Sequence, residues 1–92
     1  MFKPYMISYD LNNPGQKYAK VFEIIKGFGS YIKLQDSFWL VRTSLTPNDM
    51  TDKLNQVLDN NDSLFICELV KNYQGRASKE DWEFIKDAIF PN

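Results

Sequence analysis

Tyr5-Met6-Ile7-Ser8-Tyr9-Asp10, followed at once by Leu11-Asn12-Asn13-Pro14-Gly15, is the stretch on which the fold turns. Its first part, rich in aromatic and apolar residues, predicts a buried strand, and its second part is a turn segment. Alternation puts Tyr5, Ile7 and Tyr9 on one side of the strand and Met6, Ser8 and Asp10 on the other. Asp10 therefore stands at the mouth of a rigid element, held in place yet open to water, a cation or a substrate.

Downstream, Tyr18, Val21, Phe22, Ile25 and Phe28 recur at spacings of three and four, which predicts a helix from Gln16 to Gly27. Ser30–Gln35 and Ser37–Thr43 read as two strands with a tight connection at Asp36. Thr46-Pro47-Asn48-Asp49 is a helix start, with Thr46 as N-cap and proline at the first helical position. The apolar stripe of that helix is Met50, Leu54, Val57 and Leu58, Asp59-Asn60-Asn61-Asp62 ends it, and Ser63–Val70 is a fourth strand. The order βαββαβ is that of a ferredoxin-like α+β sandwich, in which two helices cover one face of an antiparallel sheet.

The fourth strand is apolar on both faces, with Leu64 and Ile66 pointing one way and Phe65, Cys67 and Leu69 the other, and strands one and three share this character. Two helices cover one face, so the second needs either a partner subunit or the tail. The tail begins as a loop or a short edge strand, Lys71–Ala77, then opens an additional C-terminal helix at Ser78, with Trp82, Ile85 and Ile89 as its apolar stripe. The expected organisation is a ferredoxin-like domain over residues 1–70 and a C-terminal loop and amphipathic helix over 71–92. The helix packs on its own sheet or reaches across to another protein.

Composition narrows the chemistry. Ninety-two residues allow one domain, and dimerisation would add to a modest core. The chain has no histidine and one cysteine, which excludes Ser-His-Asp and Cys-His catalysis and histidine-bearing zinc sites from a single chain. Cys67 reads as a small core residue. No apolar stretch approaches the length of a membrane span, and Met1-Phe2-Lys3-Pro4 leads straight into a strand, so the expected location is cytoplasmic, with no membrane partner. The net charge is −1, with 11 basic and 12 acidic residues and no basic block.

Ile7-Ser8-Tyr9-Asp10-Leu11, Gly29-Ser30-Tyr31, Leu34-Gln35-Asp36-Ser37-Phe38-Trp39-Leu40-Val41 and Leu58-Asp59-Asn60-Asn61-Asp62-Ser63-Leu64, taken in order, resemble a known family. It is that of the small CRISPR-associated adaptation protein, the non-integrase subunit, and in particular its stand-alone SinR-like branch; the virulence-associated D toxins are distant relatives. The resemblance spans about Tyr5 to Leu69. It implies a ferredoxin-like homodimer whose sheets meet face to face, with Asp10 opposite its symmetry mate and a divalent cation between the pair. It further implies an antiviral-defence setting and either metal-dependent nuclease activity on DNA or RNA or a structural DNA-binding role. The chain departs from the adaptation proteins in its faint acidity and in ending on the Trp82 helix rather than a short strand.

The site expected from these readings is a pair of Asp10 carboxylates, catalytic and metal-ligating, holding Mg²⁺ or Mn²⁺ through oxygen ligands suited to a hard cation. Ser8, Asn12, Asn13 and Ser37 are candidates for further oxygens; alternatively, Asp10 simply caps the turn that follows it. Lys17, Lys20, Lys33, Arg42 and Arg76 are candidate phosphate contacts on DNA or RNA, although Lys17 and Lys20, one helical turn apart, also suit a solvated face. Trp39 and Tyr31 suit an interface or the stacking of bases. Asp59–Asp62 lacks the glycine and distal glutamate of a calcium loop and reads as a helix-ending turn. The functional alternatives are a metal-dependent endoribonuclease or deoxyribonuclease, a non-catalytic dimeric scaffold, and a protein-interaction module working through the tail helix.

Overall fold

A computed structural model describes residues 1–12, 15 and 17–92. Asn13, where an extra oxygen ligand was expected, lies outside the described residues, as do Pro14 of the expected turn and Gln16 at the expected helix start. The elements are β1 (Lys3–Asp10), α1 (Lys17–Lys26), β2 (Ser30–Gln35), β3 (Phe38–Thr43), α2 (Pro47–Leu54), β4 (Ser63–Glu68) and α3 (Lys79–Phe84). All strand neighbours are antiparallel and the sheet order is β2-β3-β1-β4, the ferredoxin-like arrangement. No helix among the described residues is long and apolar enough to cross a membrane.

The first face of the sheet carries the main core. Tyr5, Ile7 and Tyr9 of β1 and Trp39 and Val41 of β3 pack under Val21 and Ile25 of α1 and Met50 and Leu54 of α2. The α2 start is a capping box: Thr46 Oγ1 accepts from Asp49 N–H at 3.0 Å, and Asp49 Oδ2 accepts from Thr46 N–H at 3.1 Å. Helix α2 ends at Leu54, a turn earlier than the apolar stripe predicts; Val57 and Leu58 still pack on the core from the connection that follows. Between α1 and β2, Gly29 has φ of +154°, and a Cβ there would lie 2.2 Å from the Arg42 carbonyl oxygen. No larger residue fits against β3 at that point.

The second face is covered by the tail, and only in part. Helix α3 is capped by Ser78, whose Oγ accepts from Asp81 N–H at 3.1 Å, and it runs on into a wider π-helical turn, Ile85–Ile89. In that turn Phe90 N–H donates to the Ile85 carbonyl at 2.9 Å, and the wider pitch brings Phe90 round toward the side of Ile85 and Ile89. All three are buried with Leu40, and Ile32, Leu34, Phe38, Met6 and Leu69 close around them. Arg42 secures the end of the tail, donating to the carbonyls of Ile89 at 3.2 Å and Phe2 at 3.1 Å. The tail thus lies on β2 and β3 of its own sheet, one of the two arrangements expected.

Along β1 and β4 the same face stays open. Phe65 is 65% exposed, Ser8 and Cys67 are half-buried, and Asp10 and Ser63 are exposed. Cys67 is therefore not the core residue expected; it stands at the margin of the covered half. The two halves of this face predict opposite responses to truncation. Ile89→Ala should destabilise the chain by about 2–4 kcal/mol in urea unfolding, because it empties a buried site. Phe65→Ser, measured in dilute solution, should stay within about 0.5 kcal/mol of the parent chain.

Candidate functional site

Asp10 ends β1 directly opposite Ser63, the first residue of β4, so the antiparallel register sets the β1–α1 and α2–β4 connections side by side. Asp62 joins them. Its Oδ1 accepts from Asn12 N–H at 2.8 Å, and its Oδ2 accepts from Asp59 N–H at 3.0 Å and from Lys17 Nζ at 2.7 Å. Lys17 Nζ also donates to Asp59 Oδ2 at 2.8 Å, while Asp59 Oδ1 accepts from Asn61 N–H at 3.0 Å. The Asp62 side chain is fully covered, at 0% exposure, and that of Lys17 is 15% exposed.

The charges follow from this geometry. The Lys17 ammonium, aided by the N–H groups of Asp59 and Asn12, holds the Asp62 carboxyl down at about 2. Lys17 also lowers Asp59, and the two carboxylates in turn raise Lys17. On the opposite face burial raises Tyr9, whose hydroxyl accepts from Trp39 Nε1 at 2.9 Å and donates to the Asp36 carbonyl at 3.3 Å. Tyr18 and Ser37 share a hydroxyl hydrogen bond at 3.0 Å, which engages Ser37 away from Asp10.

The expected phosphate contacts do not gather into one surface. Lys17 turns inward onto two carboxylates and Arg42 onto two main-chain carbonyls, so both act within the fold rather than facing a ligand. Lys33 lies over the Phe22 ring, 4.6 Å from its centroid, on the helix-covered side. Lys20 is exposed on α1, and Arg76 is exposed in the strap before α3. Trp39, expected at an interface or stacking on bases, is 1% exposed in the core beside Phe22 and Tyr31. Among the described residues of one chain, no three acidic or cysteine side chains converge on Asp10 or anywhere else.

Asp62 is the residue the sequence reading missed. The Asp59–Asp62 run is a helix-ending turn as expected, yet its last carboxylate also ties two loops together beside Asp10. The signal was topological: a βαββαβ order with β1 beside β4 brings the start of α1 against the end of α2, where a lysine faces two aspartates.

No family model matches the chain, and no curated protein matches it. Several solved structures do, two of which are the following. A hypothetical protein of Thermus thermophilus, TT1823, superposes with a TM-score of 0.68 at 18% identity, over 85% of this chain and 94% of that one. Cas2 of Streptococcus pyogenes, crystallised at pH 6.5, superposes with a TM-score of 0.57 at 26% identity, over 75% of this chain and 88% of that one. The fold is Cas2-like. Both likenesses bear on the fold.

The Asp62 cluster carries a pH signature. Its carboxyl binds a proton less readily in the folded chain than at its ordinary value of 3.8, so the unfolded state gains protons first as the pH falls. The stabilisation it supplies is complete above about pH 4 and is lost on the way to about pH 2. Urea midpoints measured across that window should fall more steeply for the parent chain than for Asp62→Asn, which carries no titrating group there. Parallel profiles would remove Asp62 from this role.

Proposed function

We propose that this chain works as a nucleic-acid-associated homodimer of the CRISPR adaptation type, its copies meeting across the open half of the second face, with paired Asp10 carboxylates forming a metal-dependent endonuclease site. The observation that carries the reading is where the tail stops. It covers β2 and β3 and leaves bare the strip of Ser8, Asp10, Ser63 and Phe65, so the carboxylate lies on the side still available to a second copy. The Cas2-like fold and the ordered motifs around Asp10 support the same assignment.

The donor set suits a hard cation only in the pair. One chain brings a single carboxylate to this point, with Ser63 and Asn12 beside it, and an exposed strand end is too sparse for Mg²⁺ or Mn²⁺ by itself. Asp10 of the partner subunit would supply the second ligand. A cation held there would supply positive charge where a phosphodiester oxygen becomes negative during cleavage. The part of this chain's own residues is to fix the carboxylate: pairing with Ser63 of β4 holds Asp10 at the end of β1, and Asp62 ties down the loop that follows. Lys20, Lys33 and Arg76 are the proposed contacts to DNA or RNA phosphates, and the proposed location is cytoplasmic.

A second reading, a catalytically silent dimeric scaffold, is favoured by the dispersal of these cations over both sides of the sheet. Capture of another protein by the tail helix is the weaker alternative, since Ile85, Ile89 and Phe90 are turned onto the chain's own sheet.

Asp10→Ala separates the readings. The nuclease reading expects Mn²⁺-dependent cleavage of single- or double-stranded DNA or RNA by the parent chain and its loss in the variant, at least about 100-fold, with the dimer mass unchanged in light scattering. Cleavage that survives the change sinks that reading; nucleic-acid binding without any cleavage, equal in both proteins, establishes the scaffold instead. Phe65→Asp should convert the dimer to a monomer, and a parent chain that is monomeric at high concentration overturns both.

A further inference from the structure

A cavity of about 460 Å³ lies between the tail and the second face of the sheet. Leu34, Phe38 and Leu40 form its floor, Trp82 and Ile85 one wall, and the strap between β4 and α3 closes over it. Protein interiors are close-packed, and a space of this size falls in the range of sites for small organic molecules. In a chain of 92 residues it is a large feature of the cover on this face.

The strap's own residues explain why the space is not filled. Gly75 and Ala77 put no bulk into it, and a Cβ added at Gly75 would meet no atom within 4 Å. The larger residues of the strap are held by their own neighbours at the cavity's edge. Tyr73 stacks on Phe90 at 4.5 Å between ring centroids, with Trp82 beyond at 6.2 Å, and Gln74 Oε1 turns back to accept from Gly75 N–H at 2.9 Å. The result is a half-open, mostly aromatic and aliphatic pocket.

Two charged residues line it, and they are not equivalent. Glu68 is paired with Lys3 at 3.6 Å. Arg76 makes no ion pair among the described residues and is exposed at the cavity's edge, where its guanidinium is within reach of a bound anion. A guanidinium pairs in a fork with carboxylate or sulfonate oxygens. A nucleotide would bring more negative charge than one arginine matches.

We propose that this cavity is a binding site for a small, flat, apolar molecule bearing a single negative group, its body enclosed between Phe38 and Trp82 and its anion on Arg76. Such a ligand touches both the sheet and the strap, so occupancy also holds the tail on β2 and β3. The site does not involve Asp10, but it shares Arg76 with the proposed nucleic-acid contacts, so a ligand there and a nucleic-acid phosphate would compete for that guanidinium.

The test uses two fluorescent probes of similar shape, the anionic 1-anilinonaphthalene-8-sulfonate and the neutral N-phenyl-1-naphthylamine, titrated into the full chain. Both should bind at one per chain. Arg76→Gln should weaken the anionic probe by about five- to tenfold and leave the neutral one unchanged. Ala77→Trp, which fills the space from the exposed strap, should abolish both while the thermal midpoint is kept. Phe65→Ser, on the open half of the face, should leave both titrations as they are. Binding that survives Ala77→Trp, that is lost with Phe65→Ser, or that ignores Arg76→Gln overturns the proposal. Binding that falls as protein concentration rises identifies a second copy as the occupant and overturns it equally.

Discussion

A sheet with two apolar faces needs cover on both, and the dimensions of a helix decide how much each helix can provide. A helix with its side chains is about 10 Å across, and strands are spaced about 4.8 Å apart, so one helix covers roughly two strands. Helices α1 and α2 together cover all four strands on the first face, where the largest buried side chains lie. The second face receives only α3 and its π-helical turn. It is half-covered by geometry, and the remaining strip along β1 and β4 follows from the count of helices rather than from any local defect.

The position of α3 within that limit is set by particular contacts. Ile85, Ile89 and Phe90 settle among Leu40, Ile32 and Leu34, while Arg42, itself on the second face of β3, bonds to the main chain at both ends of the protein. Those bonds place the tail on the β2–β3 half. The half left over is the one in which Ser8 is flanked by Phe38 on one side and Phe65 on the other, with Asp10 one step further along β1. Packing energetics and candidate chemistry are thus linked through a single helix.

The strands and both main helices were legible because their signals are local: alternation in β1 and β3, the three-and-four spacing of Tyr18 to Ile25, the Thr46–Asp49 cap. The direction taken by the tail was not. The Trp82-Ile85-Ile89 stripe suits the chain's own sheet and a neighbour's equally well, and only the placement of Arg42 and the bulk of Leu40 and Leu34 decide between them. Lys17 was misread for the same reason at longer range. Its partners are 42 and 45 residues away, and nothing in the helix that carries it reveals that its charge is already matched. Asp10 was legible as a strand-ending carboxylate, whereas what fixes its neighbourhood, Asp62, looked like punctuation between two elements.

The charge balance at this end of the molecule bears on how a nucleic acid would reach it. Lys17 is set between Asp59 and Asp62, so these three groups together with Asp10 leave an excess of negative charge beside the end of β1. Covering the Asp62 side chain keeps its charge from being screened by water, and the low value of its carboxyl keeps it ionised throughout the neutral range. A phosphodiester approaching an unaccompanied Asp10 meets repulsion, and two copies brought face to face double it. On the proposed reading, cation dependence therefore belongs to the assembly of the site and the approach of the substrate as much as to bond cleavage. The exposed lysines and arginine away from β1 then act as the contacts that hold a strand while that charge is matched.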